Sequence, residues 1–280
     1  MSNKLAGVRI TLNILGRYDG AKGYNMLTGH KLRMGKIFRN DGKTFIVAMD
    51  HGMGGPQPGL IDPGDTIAKV IAGKPDAILT NMGVINKYAD QLSQLHAVLL
   101  TIPSDRTAIP YIKQAIKLGV DGVKVSYFGP FDRTKYMAWR DIAIECHEWG
   151  MPLMTEPVPM TKSPWEGGVF ITDAETVARV ARMCFELGAD ILKVAYTGSP
   201  ASFREVVTAC PAPVTILGGA KIENERDALE VIKGAIDCGG AGITMGRNVW
   251  KVPNVTGMVR AIAKIIHENA TVDDAIKELQ

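Results

Sequence analysis

The sequence is poor in cysteine and histidine, and neither residue type shows a metal-binding spacing. The four cysteines, at positions 146, 184, 210 and 238, form no CxxC pair, and none of the five histidines is followed by another two or four positions later. Zinc sites usually depend on such spacings, and a chain of 280 residues can build its core without disulfides. We therefore expect no metal, no disulfide framework and reduced thiols that are mostly buried.

Charge imbalance and long apolar runs are also absent. Lysine and arginine number 32 against 29 aspartate and glutamate, a net charge of +3, and the basic residues are scattered along the chain instead of forming a nucleic-acid-binding stripe. No stretch approaches the roughly 20 apolar residues that a membrane-spanning helix needs. The segment from Ile10 to Leu15 is too polar for a secretory signal and has no cleavage site. The sequence therefore predicts a soluble, cytoplasmic protein that binds neither nucleic acids nor membranes.

What the sequence does contain is a regular alternation of short apolar runs and helical segments from about residue 44 onward. Each run precedes a loop of Gly, Pro, Asn or Asp and then a stretch with apolar residues three and four positions apart. Short apolar strands that alternate with helices are typical of a parallel sheet buried on both faces. The eight predicted strands are Phe45 to Met49, Ala77 to Thr80, Ala97 to Thr101, Gly122 to Ser126, Pro152 to Thr155, Ile191 to Val194, Val214 to Leu217 and Gly242 to Met245.

Eight evenly sized units predict an α/β fold, a (β/α)8 or TIM barrel over residues 44–280. An open doubly wound sheet is the alternative, but no G-x-G-x-x-G follows the first strand, so a dinucleotide is not indicated and no cofactor is expected. Residues 1–43 form an N-terminal extension with a short helix around Lys31 to Phe38. This extension is expected either to plug the bottom of the barrel or to pack on a neighbouring subunit.

The helix after the fifth strand has the clearest boundary signals. Thr172 and Glu175 have the spacing of a capping box, which predicts Thr172 as the N-cap residue. Gly188 is placed to end the same helix in the left-handed conformation.

Two lysines stand within otherwise apolar strands. Lys193 lies in the sixth strand, where partial desolvation of its ammonium group favours the neutral amine that attacks carbonyl groups. Lys124, in the fourth strand, has the same kind of neighbours, and strand periodicity does not separate the two. Lys124 is equally a candidate charge partner of Lys193 or a second phosphate contact. A purely structural ion pair is the alternative for Lys193.

The turns after the last two strands have the composition of an anion site. Gly218 to Lys221 follows the seventh strand and Gly246-Arg247 follows the eighth, so backbone N–H groups can approach an anion closely while Arg247 adds charge. These two strands commonly share phosphate binding in barrels, although ordinary tight turns are the alternative. The predicted phosphate-binding residues are Gly218, Gly219, Lys221, Gly246 and Arg247.

Asp50 and His51 end the first predicted strand. Adjacent strand residues point to opposite sides, so one of the two should face the barrel mouth, where functional groups gather. Asp50 there would act as a general acid or base for carbinolamine steps or bind a substrate hydroxyl, and His51 would transfer protons near neutral pH. The alternative for Asp50 is a cap on the following loop.

Five stretches, taken in this order and spacing, resemble the archaeal-type class I aldolases. That family includes fructose-bisphosphate aldolases, aminodideoxyheptulosonate synthases and thiolases that process phosphorylated autoinducer-2. The resemblance covers about residues 30 to 278. The stretches are Val47 to Gly52, Gly188 to Lys193 with Tyr196-Thr197-Gly198 after it, Cys210 to Val214, Gly218 to Lys221, and Gly246 to Asn248.

The resemblance implies a (β/α)8 barrel with a Schiff base on Lys193 rather than Lys124 and with Asp50 as an active-site carboxylate. It also implies that the glycine-rich turns after the last two strands hold phosphate by their backbone. Such enzymes tend to form rings of five subunits, often paired into decamers, so a homo-oligomer is expected.

One departure from the family concerns proton transfer. The fructose-bisphosphate aldolases and heptulosonate synthases have a Tyr in a Tyr-Pro-Arg-Gly motif after strand 5, whereas here the segment has Val158 or a neighbour at that place. The autoinducer thiolases also lack this Tyr and rely on the Asp-His pair. We hypothesise that Glu156 or His51 supplies the acid/base function. The following loop is either a substrate lid, with Trp165 excluding water, or a surface loop.

The predicted function is therefore that of a lysine-dependent lyase, a class I aldolase of carbohydrate metabolism that acts on a phosphorylated ketose. The alternative on the same scaffold is a ketol- or acyl-transferase, similar to the heptulosonate synthases or the autoinducer thiolases. A third hypothesis, from a different class, is a ring-forming structural or regulatory barrel that binds phosphate without catalysis.

Overall fold

The structure, a computed structural model, describes residues 27–280 and shows eight parallel strands closed into a barrel. Each strand pairs with the next along the chain, and β8 returns to pair with β1. The predicted (β/α)8 barrel is thereby confirmed. The strands are β1 (Thr44–Ala48), β2 (Ala77–Thr80), β3 (Ala97–Thr101), β4 (Gly122–Gly129), β5 (Leu153–Pro159), β6 (Ile191–Val194), β7 (Val214–Leu217) and β8 (Gly242–Met245).

Helices follow every strand and cover the outside of the barrel. None of the helices in the described part of the chain combines the length and the apolar character that crossing a bilayer requires. The α-helices are α1 (Thr28–Ile37), α2 (Pro63–Ala72), α3 (Met82–Lys87), α4 (Ala89–Leu92), α5 (Ile109–Leu118), α6 (Arg133–Glu148), α7 (Ala174–Glu186), α8 (Pro200–Ala209), α9 (Glu225–Asp237), α10 (Arg247–Trp250), α11 (Val255–His267) and α12 (Val272–Ala275). Short 3-10 helices span Asp50–Gly54, Arg106–Ala108, Pro164–Glu166 and Ile276–Leu279.

Helix α7 begins one residue later than its capping-box pattern predicts. The N-cap is Asp173, whose side chain accepts a hydrogen bond from Thr176 N at 2.9 Å, so the prediction of Thr172 was wrong. Both residues are good caps, but a carboxylate also interacts favourably with the positive end of the helix dipole. Gly188 follows α7 with φ of 104°, as its predicted role requires.

The C-terminal ends of three strands differ from the predicted ones. β1 ends at Ala48, so Asp50 and His51 lie in the 3-10 turn Asp50–Gly54 and not on a strand with alternating side chains. β4 and β5 continue beyond the barrel wall, with pairing up to Gly129↔Pro159. β5 stops pairing with β6 at Thr155, and a strand with one free edge tolerates Pro, which cannot donate a backbone hydrogen bond. Glu156 is consequently a strand residue and not part of a loop.

Helix α1 lies across the N-terminal ends of the strands, at the bottom of the barrel. Ile37, at its C-terminal end, is fully buried among apolar residues of the barrel interior. Basic side chains of α1 and of the segment just after it face carboxylates that precede alternate strands. In α1, His30 Nε2 is 2.9 Å from Asp190 and Lys36 Nζ is 2.9 Å from Asp121, and after the helix Arg39 pairs with Asp76. The part of the expected N-terminal extension that precedes residue 27 lies outside the described residues.

His267, the last residue of α11, joins the same charged network. Its Nδ1 lies 2.7 Å from Asp41 and its Nε2 lies 2.9 Å from Asp76. Burial lowers the pKa of the His267 imidazole, but the hydrogen bonds and charges of Asp76 and Asp41 outweigh this effect and raise it above its ordinary value of 6.5. His267 is therefore protonated in the folded protein at pH values where it is neutral in the unfolded chain.

A histidine with a raised folded pKa stabilises the protein fully below pH 6.5, and this contribution is lost as the pH rises through the folded value. We expect the free energy of unfolding, measured by urea denaturation, to fall as the pH rises from 6.5 through the raised folded pKa of His267. In the His267→Gln variant this part of the pH dependence should disappear, and stability at about pH 6 should drop by about 1–3 kcal/mol because the buried carboxylate of Asp76 and the exposed one of Asp41 lose a charged donor. Equal pH profiles for the two proteins would contradict the assignment.

Candidate active site

A layer of polar side chains fills the upper part of the barrel interior. Below it, the inward-facing residues are apolar and pack around Ile37. Because side chains alternate along a strand, residues two positions further along the same strands face the same interior. The inward-facing polar residues are Asp50, Thr101, Lys124, Ser126, Glu156, Lys193, Thr215 and Thr244.

Glu156 lies at the centre of this layer and uses its two carboxylate oxygens differently. Lys193 Nζ donates to Oε1 at 2.7 Å. Oε2 accepts from Lys124 Nζ at 3.0 Å and from the Ser126 hydroxyl at 2.7 Å. Burial favours the neutral acid, but the charges of Lys124 and Lys193 outweigh it and hold the pKa of Glu156 below its ordinary range. Glu156 is therefore an ionised carboxylate in direct contact with Lys193.

Lys124 is enclosed by acceptors. Its Nζ lies 2.8 Å from Asp50 Oδ2 and 3.0 Å from Glu156 Oε2, and it donates to the Ser126 hydroxyl at 2.6 Å. Burial lowers the pKa of Lys124, but the two carboxylates outweigh this effect and raise it above its ordinary value. Lys124 is thus a permanent ammonium and a charge partner, which was one of the roles left open for it. Lys193 contacts one carboxylate where Lys124 contacts two.

Asp50 is fixed by its neighbours and does not cap the following loop. Its carboxylate accepts from Thr101 Oγ1 at 2.7 Å as well as from Lys124, and its backbone carbonyl accepts from Asn81 Nδ2 at 2.9 Å. Burial would raise the pKa of Asp50, but Lys124 and Lys193 lower it well below its usual range. Asp50, Lys124, Glu156 and Lys193 therefore form a chain of alternating charges, which we call the charge chain.

His51 lies at the edge of the mouth and outside the charge chain. Its Nδ1 is 3.7 Å from Asp50 Oδ1, which is too far for a hydrogen bond, and its ring packs edge-on against Trp250 with centroids 5.4 Å apart. Burial lowers the pKa of His51, an effect that Asp50 opposes and Lys193 and Arg247 reinforce. The imidazole is therefore neutral near pH 7. A Cβ atom added at Gly246 would lie 2.5 Å from the backbone oxygen of Ala48 and 2.5 Å from His51 Cε1, so the close backbone approach favours glycine there.

The predicted phosphate residues lie on two neighbouring loops. Arg247 donates through Nη2 to the carbonyl of Gly219, which has φ of 60°, and its buried Nε has no hydrogen-bond partner among residues 27–280. An unsatisfied buried donor of this kind is suited to a bound anion. Lys221 is arranged differently, because its ammonium donates to the carbonyl of the adjacent Ile222.

Sequence reasoning missed three polar residues of the site. Thr101 and Ser126 hold the carboxylates of Asp50 and Glu156, and Asn248 ties the loop after β7 to the loop after β8. The alternation Lys124-Val125-Ser126 was a usable signal, since it places the lysine and the serine on the same face of β4. Asn248 stands at the end of a motif whose first two residues were predicted.

An apolar cluster covers one side of the mouth. Val158, Met160, Ala195 and Leu217 are all buried and pack together, with Phe170 against them. This cluster therefore contains no tyrosine hydroxyl, and apolar side chains alone cover this side of the mouth. Trp165, which was considered as a water-excluding lid residue, is 95% exposed. Within residues 27–280, no three His, Cys, Asp or Glu side chains are grouped as metal ligands.

Comparisons with known proteins agree with the barrel fold. Residues 44–252 match the DeoC/LacD family of aldolases. An uncharacterized aldolase from Saccharolobus solfataricus is 29% identical over 277 residues, covering 91% of this chain and 100% of the relative. A 2-amino-3,7-dideoxy-D-threo-hept-6-ulosonate synthase from Archaeoglobus fulgidus is 31% identical over 263 residues, covering 90% of this chain and 96% of the relative. The solved structure of a Schiff-base-forming fructose-1,6-bisphosphate aldolase has a TM-score of 0.72 at 26% identity and covers 85% of this chain and 100% of that chain.

These findings confirm the resemblance that the sequence motifs indicated, and they support the predicted class I aldolase function. The family match begins at β1 and continues past β8, so it includes every strand that contributes to the charge chain. The chain belongs to the DeoC/LacD family of aldolases.

Proposed function

We propose that this protein is a class I aldolase in which Lys193 forms a Schiff base with the ketone of a phosphorylated ketose. The observation that carries the proposal is the 2.7 Å contact between Lys193 Nζ and Glu156 Oε1. It gives the amine a base within hydrogen-bond reach, as general base catalysis requires. Lys124, the other buried amine, is held as an ammonium by two carboxylates and is not available as a nucleophile.

The first half of the reaction follows from this contact. Glu156 takes a proton from the Lys193 ammonium, and the neutral amine attacks the ketone carbon to form a carbinolamine. Glu156 then returns the proton to the departing hydroxyl, which leaves as water, and the remaining C=N bond is the iminium. The iminium draws electrons from the neighbouring carbon–carbon bond, which is the basis of covalent catalysis by lysine.

Cleavage needs a base for the hydroxyl of the carbon that becomes the aldehyde. We assign this role to Asp50, an ionised carboxylate at the same level of the barrel. Loss of that proton breaks the carbon–carbon bond, releases the aldehyde and leaves an enamine on Lys193. Protonation of the enamine carbon and hydrolysis of the iminium then free the second product and restore the amine.

The substrate's phosphate is assigned to the loops after β7 and β8. Gly218, Gly219 and Gly246 allow close approach of the backbone, and Arg247 supplies charge together with an unsatisfied buried Nε donor. The ketose assignment draws on the similarity to a fructose-1,6-bisphosphate aldolase.

We further propose that the protein is a homo-oligomer, either a pentamer or a decamer. Analytical ultracentrifugation would measure its mass in solution. A monomer at working concentrations would contradict this proposal.

A transferase is the second candidate, favoured by the 31% identity to a heptulosonate synthase. Both reactions share the Schiff base and differ in the fate of the enamine, which is protonated in a lyase and captured by a second carbonyl compound in a ketol transferase. Product analysis with and without an aldehyde acceptor separates them. Turnover of a ketose phosphate alone supports the lyase, and strict dependence on an acceptor supports the transferase.

Borohydride trapping tests the Schiff base. Incubation with dihydroxyacetone phosphate followed by reduction should give a stable adduct that peptide mapping places on Lys193. Lys193→Met should abolish the adduct, because the other lysine of the charge chain, Lys124, is held by two carboxylates and is not available as a nucleophile. Lys124→Met serves as the matched variant and should still give an adduct on Lys193, formed more slowly. An adduct on Lys124 in the wild-type protein would overturn the assignment.

Glu156→Gln and His51→Asn distinguish the two candidate acid/base groups. The amide of Gln cannot accept a proton, so we expect kcat to fall roughly 10²- to 10⁴-fold in Glu156→Gln. The His51→Asn variant should lose much less, since His51 has no hydrogen bond to the charge chain. Because the pKa of Glu156 lies below 4.5, its contribution to activity should persist at neutral pH and decline only as the pH falls through that lowered value. The reverse ranking of the two variants would contradict this division of roles.

A further inference from the structure

Asn248 connects the two loops that form the proposed phosphate site. It is the second residue of α10, directly after Arg247, and is only 1% exposed. Its Nδ2 donates to the carbonyl oxygens of Gly218 at 2.7 Å and Ala220 at 3.2 Å. Its Oδ1 accepts from Ile222 N at 2.7 Å. Both amide hydrogens are thus used within the protein, and so is the carbonyl oxygen.

These three hydrogen bonds hold the loop after β7, whose sequence gives its backbone a large conformational freedom. Two successive glycines, Gly218 and Gly219, follow β7, and neither has a side chain that packs it in place. Glycine has the largest backbone freedom to lose on ordering, so such a loop needs external ties to stay in one conformation. The ties come from the loop after β8, through Asn248 and through the bond from Arg247 to the Gly219 carbonyl.

A fixed loop matters for anion binding because donors that are already in position avoid the cost of ordering when the ligand arrives. Asn248 sets the position of the β7 loop relative to Arg247, the neighbouring residue in sequence. Since both of its amide hydrogens are bonded to carbonyl groups of that loop, Asn248 does not contact the ligand and acts through the loop.

We propose that Asn248 is the positioning residue that makes this enzyme select phosphorylated over non-phosphorylated ketones. It keeps the glycine-rich loop after β7 and the Gly246-Arg247 turn at a fixed separation that fits a phosphate group. The inference rests on the proposed function and identifies the source of its phosphate selectivity. It leaves Schiff-base formation itself to Lys193 and Glu156, in a different layer of the barrel.

The test compares dihydroxyacetone phosphate with dihydroxyacetone in borohydride trapping at concentrations well below saturation. In the Asn248→Ala variant, we expect the trapping efficiency with the phosphorylated ketone to fall roughly 10- to 100-fold. This corresponds to the loss of one charge-assisted hydrogen bond between the displaced loop and the phosphate. Efficiency with dihydroxyacetone should stay within about twofold, because a ketone without phosphate gains nothing from the loop. Asn248→Asp, which has the same shape but cannot donate to the two carbonyls, should show at least the same selective loss.

Asn254→Ala is the matched control. Asn254 also bridges two segments, since its Nδ2 donates to Leu279 O at 3.3 Å and its Oδ1 accepts from Gly257 N at 2.8 Å. This variant should lower the melting temperature without changing the ratio of the two trapping efficiencies. A wild-type ratio in Asn248→Ala, or equal losses with both ketones, would overturn the proposal.

A second readout does not depend on Schiff-base chemistry. Inorganic phosphate should raise the melting temperature of the wild-type protein and of Asn254→Ala, and this shift should be lost in Asn248→Ala and Asn248→Asp. If the wild-type protein gives no adduct with either ketone but shows the Asn248-dependent shift, the proposed function fails while the role of Asn248 stands. An undiminished phosphate shift in both Asn248 variants would overturn that role.

Discussion

The charge chain of Asp50, Lys124, Glu156 and Lys193 is the constraint on which the active end of this barrel depends. Removing four ionised groups from water costs several kcal/mol for each, and this is repaid only when every group contacts an opposite charge and its remaining hydrogen-bonding sites are satisfied. The charge chain meets this condition because its charges alternate in sign and because the hydroxyls of Thr101 and Ser126 donate further hydrogen bonds to the carboxylates. The four residues come from four different segments, so the arrangement exists only in the closed barrel.

Position within the charge chain separates two lysines that are chemically the same. Lys124 is internal and has a carboxylate on each side, whereas Lys193 is terminal and has one. A proton that passes from Lys193 to Glu156 neutralises both groups and leaves Asp50 paired with Lys124. The net charge of the buried layer is therefore unchanged by the proton transfer that we propose for the formation of the nucleophile. The same transfer from Lys124 would leave Asp50 without its closest countercharge, which is why we propose the terminal lysine as the reactive one.

The sequence predicted the parts of this molecule that depend on short-range patterns, and it failed where contacts join distant segments. Continuous apolar runs, separated by helical segments that end at glycine, located the eight strands, because burial on both faces leaves little choice of residue. The turn at Asp50 was misassigned because a 3-10 turn follows β1 without a Gly or Pro at its start. Ser126 meets Glu156 only through the register between β4 and β5, 30 residues apart, and no local pattern encodes such a pairing.

The two ends of the barrel use charge for different purposes. At the bottom, Asp76, Asp121 and Asp190 each precede an even-numbered strand, and each accepts a backbone N–H from the preceding odd-numbered strand: Phe45 at 2.6 Å, Val98 at 3.1 Å and Leu153 at 2.9 Å. Each also faces a basic residue of α1 or the segment just after it. Asp76 and Asp121 thus have both carboxylate oxygens paired with fixed partners, which suits stability. At the top, the buried Nε of Arg247 has no hydrogen-bond partner among residues 27–280 and Lys193 contacts a single carboxylate, so we place the proposed chemistry at this end, where the functional groups of such barrels gather.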